Sequence, residues 1–259
     1  MKAKKLLSWL IAHGSDGFNG SRRIRGNQFN PFNQRSIYMS KEAKFCPGCG
    51  HPIALRFLYS VLKEMGLEKK AVLGLDIGCS LLAWDFLPIN TFQTHHGRVT
   101  PTMVGFKRSQ PESVSISYTG DGGAYAIGMQ GLFWAALRND PVTVIVVNNT
   151  IYAMTGGQLA PTTMPGQKTD TSPSGNEQAT VMGPELVRSL NVKAYVARTA
   201  VNDVSGLQSA LRKAFEAQKA GNFSFVEVLS FCPTNWRTKG TETNEFLENM
   251  KKGFHLGEF

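Results

Sequence analysis

The sequence predicts an α/β domain built on a doubly wound, mostly parallel sheet. Three observations carry that expectation. Five short apolar runs rich in β-branched residues punctuate the chain, stretches with helical periodicity lie between them, and 259 residues suffice for one such domain with a sizeable core. Strand alternating with helix is the pattern that places helices on both faces of a parallel sheet.

The runs are residues 71 to 78, 113 to 120, 141 to 147, 192 to 198 and 223 to 230. They read as nearly continuous apolar segments, such as PVTVIVV, rather than as an alternation of apolar and polar residues. That is expected of strands covered on both faces. Residues 52 to 65 set Ile53, Leu55, Phe57, Leu58, Val61, Leu62 and Met65 on one helical face, and Pro52 suits a first helical turn. Residues 126 to 138 and 203 to 219 repeat the helical pattern, whereas the Pro, Thr, Ser and Gly of 160 to 177 predict a surface loop.

The formal charge of +9 would suggest an acidic partner if it were spread over the folded body. Instead, Lys2, Lys4, Lys5, Arg22, Arg23, Arg25 and Arg35 stand against Asp16 alone within the first 40 residues. The remainder carries little excess and no basic stripe interleaved with aromatics, which argues against nucleic acid. Residues 1 to 38 read as a basic N-terminal extension, expected to be disordered, ahead of a domain over 39 to 259. The short apolar stretch after the first lysines is a poor match to a signal peptide. No apolar run reaches the length of about 18 residues that a membrane span needs. The expectation is a soluble, cytoplasmic protein with no membrane partner.

In a doubly wound sheet, ligands bind beyond the carboxyl ends of the strands. Those ends carry Cys79 and Ser80, then Gly120, Asp121, Gly122 and Gly123, then Asn148 and Asn149, and finally Cys232. Glycines let a backbone approach a phosphate, and the helix expected near Ala126 would offer its first amides to that anion. Asp121 supplies a hard oxygen for magnesium and Asn149 a second from the next strand end. A Gly-Asp-Gly segment alone is most often a turn. Here 25 residues separate Gly122 from the Asn148-Asn149 pair at another strand end, which makes the combination specific. Four cysteines form a second line: Cys46 and Cys49 in a Cys-Pro-Gly-Cys turn, with Cys79 and Cys232 each past a strand. Four thiolates suit zinc or a four-iron four-sulfur cluster, redox chemistry and disulfides remain open, and only one pair is close in sequence, unlike most structural zinc sites.

Residues 148 to 163, NNTIYAMTGGQLAPTT, together with CPGCGH at 46 to 51, DIGCS at 76 to 80 and HGR at 96 to 98, resemble the beta subunits of 2-oxo acid:ferredoxin oxidoreductases. The resemblance covers roughly residues 43 to 237. It implies the diphosphate-binding fold of thiamine-diphosphate enzymes, with magnesium held by Asp121, Asn149 and the Ile151 carbonyl. Gly120, Gly122 and Gly123 would stand near the diphosphate, and Gly78, Ser80 and His96 would add cofactor contacts. It implies Cys46, Cys49, Cys79 and Cys232 as ligands of a four-iron four-sulfur cluster. The activity implied is coenzyme A-dependent oxidative decarboxylation of a 2-oxo acid, with electrons passed to ferredoxin. An alpha subunit would supply the activating glutamate, and gamma or delta subunits could accompany it. The likeness around CPGCGH leans toward a branched-chain or similar larger 2-oxo acid. The chain departs from the family pattern at Gly123, Ala153 and His95, none of them a magnesium ligand.

His51 and His96 flank the cofactor segments and are the catalytic candidates, although a lone histidine is more often structural. Lys107 could meet an anion but reads more simply as a solvated lysine at a helix end, and His13 and His255 lie in tails. Two competing readings are a non-oxidative thiamine-diphosphate decarboxylase or synthase, which needs no cluster, and a zinc-binding module without catalysis, which leaves Asn148-Asn149 unexplained.

Overall fold

A computed structural model describes residues 44–191 and 193–259. The expected extension over residues 1 to 38 lies outside the described residues, as does Val192 at the start of the fourth expected strand. Strands β1 (Ala71–Leu75), β2 (Asn90–Gln93), β3 (Val114–Gly120), β4 (Thr143–Asn148), β7 (Tyr195–Ala200), β8 (Ser224–Leu229) and β9 (Gly257–Glu258) form one sheet in the order β2-β1-β3-β4-β8-β7-β9. Every neighbouring pair is parallel except β7 and β9. A two-stranded ribbon, β5 (Ile151–Tyr152) with β6 (Gln158–Leu159), stands apart from the sheet.

The continuous apolar runs are explained by two cores, one on each face. Ile145 and Val147 of β4 pack into a core shared with helices α1 (His51–Glu64), α5 (Val204–Lys219) and α7 (Thr241–Gly253). Val144 and Val146, their neighbours in sequence, pack with α2 (Val99–Ser109), α3 (Met129–Leu137) and α4 (Gly183–Leu190). Successive side chains of a strand point to opposite faces, so a strand clothed on both sides is buried at successive positions and reads as a nearly continuous apolar run. α5 starts where Asp203 accepts the Gly206 N–H, a side-chain N-cap. A short helix, α6 (Pro233–Trp236), follows Cys232.

Several expectations need correction. The first strand stops at Leu75, not Gly78, because Asp76 turns its side chain out of the ladder into a buried polar cluster. Helix α2 gave no clear sequence signal, since it opens Val99, Thr100, Pro101, residues of poor helix propensity. Proline is tolerated there because the first-turn amides lack an intrahelical partner. Residues 160 to 177 are irregular as expected but do not form a plain surface loop. Thr162, Thr163 and Asn176 are buried, with Asn176 Nδ2 donating to the Thr163 carbonyl at 2.6 Å and Thr163 Oγ1 to the Thr150 carbonyl at 2.7 Å. Its polar side chains satisfy backbone groups inside the protein. Lys107 reaches past the end of its helix to the following loop, donating to the carbonyls of Pro111 and Ser113 at 2.7 and 2.6 Å. Among the described residues no helix is long and apolar enough to cross a membrane.

A largely buried ionic set ties β7 to β8 and α4. Arg198 on β7 donates through Nε to Glu227 of β8 and through Nη1 and Nη2 to Glu185 of α4, with Phe254 and Phe259 rings 5.3 Å from its guanidinium carbon. Glu227 is fully buried and also accepts a short hydrogen bond from Tyr125. Removing one partner of such a set strands a buried charge, at about 3–5 kcal/mol. Arg198→Met should therefore lower stability by about that amount in urea unfolding, and adding Glu227→Gln should recover part of the loss.

Candidate functional site

The carboxyl ends of β1, β3 and β4 open onto a cavity of about 230 Å³. Its wall contains His51, Gly78, Cys79, Ser80, His96, Gly120, Asp121, Gly122, Gly123, Asn149 and Ile151, joined by Tyr152 and Met154 from the ribbon. Every expected cofactor residue thus meets in one place. Cys46, Cys49 and Cys232 stand outside this wall, and Cys79 alone of the thiols lines it.

Helical backbone begins at Asp121 itself, earlier than the expected start near Ala126, and widens into a π turn over Gly123–Ile127 before α3. The π turn closes with the Gly128 N–H on the Gly123 carbonyl at 2.9 Å. Such turns are rare and concentrate at functional sites. Glycine is required here by contact. A Cβ on Gly122 would lie 2.1 Å from the Tyr152 ring, and one on Gly123 would lie 2.0 Å from Asp76 Oδ2. Gly97 of the His-Gly-Arg turn has φ +64, and a Cβ there would lie 2.5 Å from the Gly128 nitrogen. Arg98 secures the same contact by donating to the Ile127 carbonyl at 3.1 Å. His96, exposed at the rim, is held against the π turn by its two neighbours.

After β4 the chain makes a tight polar corner. Asn148 Oδ1 accepts the Thr150 N–H at 3.1 Å, Asn149 Oδ1 accepts the Ile151 N–H at 3.3 Å, and Thr150 adopts φ +60. Trp236 of α6 donates Nε1–H to the Asn149 carbonyl at 2.9 Å, fixing the corner from outside. The donor set facing the cavity is one carboxylate and neutral oxygens, the hard ligands that magnesium takes together with a diphosphate. Asp121 is buried, and burial pushes its carboxyl up to about 7, countered by hydrogen bonds from Thr162 Oγ1 and the Gly122 N–H and reinforced by the Glu227 charge. A bound divalent cation would reverse that burial cost. Cβ atoms on Gly78 or Gly120 would meet nothing within 4 Å, so both faces are open to an anionic ligand. The residues fit a magnesium-bound diphosphate.

The four cysteines are free thiols, with Cys46 exposed and Cys232 buried. Burial raises Cys49 to about 12 and Cys79 to about 11, and thiolate charge on Cys46, Cys79 and Cys232 adds to the shift of Cys49. Cys232 is also raised by burial, partly offset by hydrogen bonds from Asn235, and feels Cys46. The four therefore lie within electrostatic reach of one another. Among the described residues no three Cys, His, Asp or Glu side chains are drawn together as ligands of a single ion. His51 is buried and carries a 2.8 Å hydrogen bond between Nδ1 and the Tyr118 hydroxyl, with Phe45 stacked at 5.5 Å. Burial lowers its pKa to about 4, so it sits neutral at the cavity floor.

Sequence reasoning missed Asp76, Thr162, Tyr152 and Trp236 as parts of this site. Asp76 was hidden inside an apolar run, where a lone acid between Leu75 and Ile77 was itself the signal. Thr162 was hidden in a segment whose composition spoke for solvent. Trp236 joins only through tertiary contact.

The family profile described as "Thiamine pyrophosphate enzyme, C-terminal TPP binding domain" matches residues 76–228, the span that carries the strand ends and the Gly-Asp-Gly turn. Fold and site therefore define a thiamine-pyrophosphate-binding domain. The ketoisovalerate oxidoreductase subunit VorA of Methanothermobacter thermautotrophicus is 35% identical over 224 residues, 83% of this chain and 47% of that protein. The 2-oxoglutarate synthase subunit KorB of Archaeoglobus fulgidus is 38% identical over 213 residues, covering 81% of this chain and 76% of that one. A solved structure of the 2-oxoglutarate:ferredoxin oxidoreductase from Magnetococcus marinus, with 2-oxoglutarate, coenzyme A and succinyl-CoA bound, superimposes with a TM-score of 0.74 at 25% identity. It covers 86% of this chain and 73% of that one. The chain belongs to the thiamine-pyrophosphate family of 2-oxoacid:ferredoxin oxidoreductase beta subunits. It spans about half the length of the ketoisovalerate relative.

A carboxyl whose folded pKa stands above its unfolded value costs stability once it ionises. Without metal, Asp121 should make the chain lose stability as pH rises from its ordinary 3.8 through about 7, by up to about 4 kcal/mol. Asp121→Asn should flatten that part of a stability-against-pH profile measured in chelator, and should remove the stabilisation that magnesium with thiamine diphosphate gives the wild type at pH 8.

Proposed function

We propose that the chain is the cofactor-bearing subunit of an enzyme that oxidatively decarboxylates a 2-oxo acid, forms the acyl-coenzyme A and passes electrons through a four-iron four-sulfur cluster to ferredoxin. The observation that carries this reading is the double position of Cys79. It lines the cavity beside Asp121 and belongs electrostatically to the four-thiol group, so electron-acceptor and diphosphate sites would share one short turn. A non-oxidative thiamine enzyme would have no use for that arrangement.

Asp121, Asn149 and the Ile151 carbonyl would hold magnesium, with Gly120, Gly122 and Gly123 leaving room for the diphosphate. Gly78, Ser80 and His96 would line the remainder of the cofactor. When bound, thiamine diphosphate supplies the electron sink that allows carbon dioxide to leave a 2-oxo acid. His51, neutral and aligned by Tyr118, can accept or donate a hydrogen bond at the cavity floor without bringing charge. His96 stands exposed at the rim of the cavity. Cys46, Cys49, Cys79 and Cys232 would bind the cluster as thiolates, so assembly must displace protons from Cys49, Cys79 and Cys232, which burial pushes toward the thiol. An alpha subunit would complete the cavity with the carboxylate that activates the cofactor, gamma or delta subunits could join, and the assembly would be cytoplasmic. The relatives act on ketoisovalerate and 2-oxoglutarate by their names, and the group those substrates share is the 2-oxo carboxylate.

Metal analysis of protein purified without oxygen tests this directly. About four iron and four sulfide per chain are expected, with a reduced-cluster paramagnetic signal that Cys79→Ala abolishes. With its partner subunit the chain should reduce ferredoxin in a reaction dependent on a 2-oxo acid and coenzyme A. Zinc, or no metal in protein that binds thiamine diphosphate, would replace this reading with a non-oxidative one.

A further inference from the structure

Asp76 is completely buried, yet among the described residues its hydrogen-bond donors are neutral groups. Oδ1 accepts the Gly97 N–H at 2.7 Å, and Oδ2 accepts the Thr119 hydroxyl at 2.8 Å. Its carbonyl accepts the Ser80 hydroxyl at 3.0 Å, and its own N–H donates to the Tyr118 carbonyl at 3.1 Å. Gly123 lies against Oδ2 so closely that a Cβ would come within 2.0 Å. The other buried acids have different occupations: Asp140 is paired with Arg108 and Arg138, Glu227 with Arg198, and Asp121 faces the cavity.

A buried carboxylate served only by neutral donors is costly, and a position that merely needed filling would take an apolar residue. What Asp76 gains is geometry. Its carbonyl touches the Gly78–Ser80 turn, and its carboxylate touches the His96–Gly97 turn, the end of β3 and the π turn at Gly123, joining segments of cavity wall beyond the end of the β1–β3 ladder. Oδ2 also lies against Gly123 in the first helical turn after Asp121.

We propose that Asp76 is a positioning residue for the cofactor: it sets the His96–Gly97 turn and the Gly123 turn at fixed distances from Gly78 and Ser80, so that the diphosphate pocket exists before the cofactor arrives. The proposal rests on the thiamine-diphosphate reading of the cavity. Asn at this position can keep the geometry, accepting from Gly97 through Oδ1 and donating to Thr119 Oγ1, which can turn its own proton to the Gly120 carbonyl at 3.1 Å. Ala cannot.

The test uses the full chain, purified with the subunits that accompany it, and two readouts. Calorimetric titration with thiamine diphosphate in excess magnesium should show Asp76→Ala weakened by about 10–100-fold, the range typical of second-layer partners at metal sites, and Asp76→Asn within about threefold of wild type. Hydrogen exchange measured without cofactor should show the Gly97 amide faster in Asp76→Ala and still protected in Asp76→Asn. Thr119→Val, which removes one donor and spares Gly97, keeps the test available if Asp76→Ala does not fold, and should bind the cofactor with intermediate affinity. Wild-type affinity in Asp76→Ala, or an equal loss in Asp76→Asn, would overturn the proposal, the second outcome pointing to charge rather than position. If the wild type itself binds no thiamine diphosphate, the reading of the cavity falls, and unchanged Gly97 exchange in Asp76→Ala would then separately refute the positioning role.

Discussion

Parallel strands end together, and everything at this site depends on that alignment. β1, β3, β4 and β8 run side by side in one direction, so four loops of unrelated sequence leave the sheet at the same edge. The backbone groups beyond the last ladder bond need other partners. Here Asp76, Asn148 and Asn149 supply many of them with side chains. A ligand in the cavity therefore meets turns already made rigid by polar bonding, and not loose loops.

The same edge brings together two kinds of chemistry with opposite demands. The oxygen set around Asp121 suits a hard cation and a phosphate, while the thiols suit softer metals. Both pay in burial: Asp121 and the raised cysteines are pushed toward their protonated forms by the surrounding apolar protein. Metal binding would convert each penalty into affinity, because the ligands must release protons to coordinate.

Much of this was legible in the sequence because it depends on local pattern. Strands such as Thr143–Asn148 are buried throughout around the continuous apolar run Val144–Val147, and the Gly-Asp-Gly and Asn-Asn segments stand at strand ends where ligands gather. What escaped notice was set by tertiary contact. Asp76 could be recognised as a hub only once Gly97 and Thr119 were seen to approach it. Thr162 looked like solvent-facing polarity because composition does not reveal which hydroxyl is covered. Helix α2 opens with residues that disfavour helix, and its packing against β3 overrides them.

The contact between the His-Gly-Arg turn and the π turn has a consequence for how this corner of the protein can vary. A Cβ on Gly97 would strike the Gly128 nitrogen, and one on Gly128 would come within 2.3 Å of the Gly123 carbonyl. Gly97 and Gly128 are thus closed to any side chain by backbone, and Gly123 is closed by Asp76 and Thr119. Ordinary drift in a packed core proceeds by trading volume, one residue growing as its neighbour shrinks. No residue is smaller than glycine, so this corner has nothing to trade, and a lineage that altered it would have to rebuild a whole turn in one step.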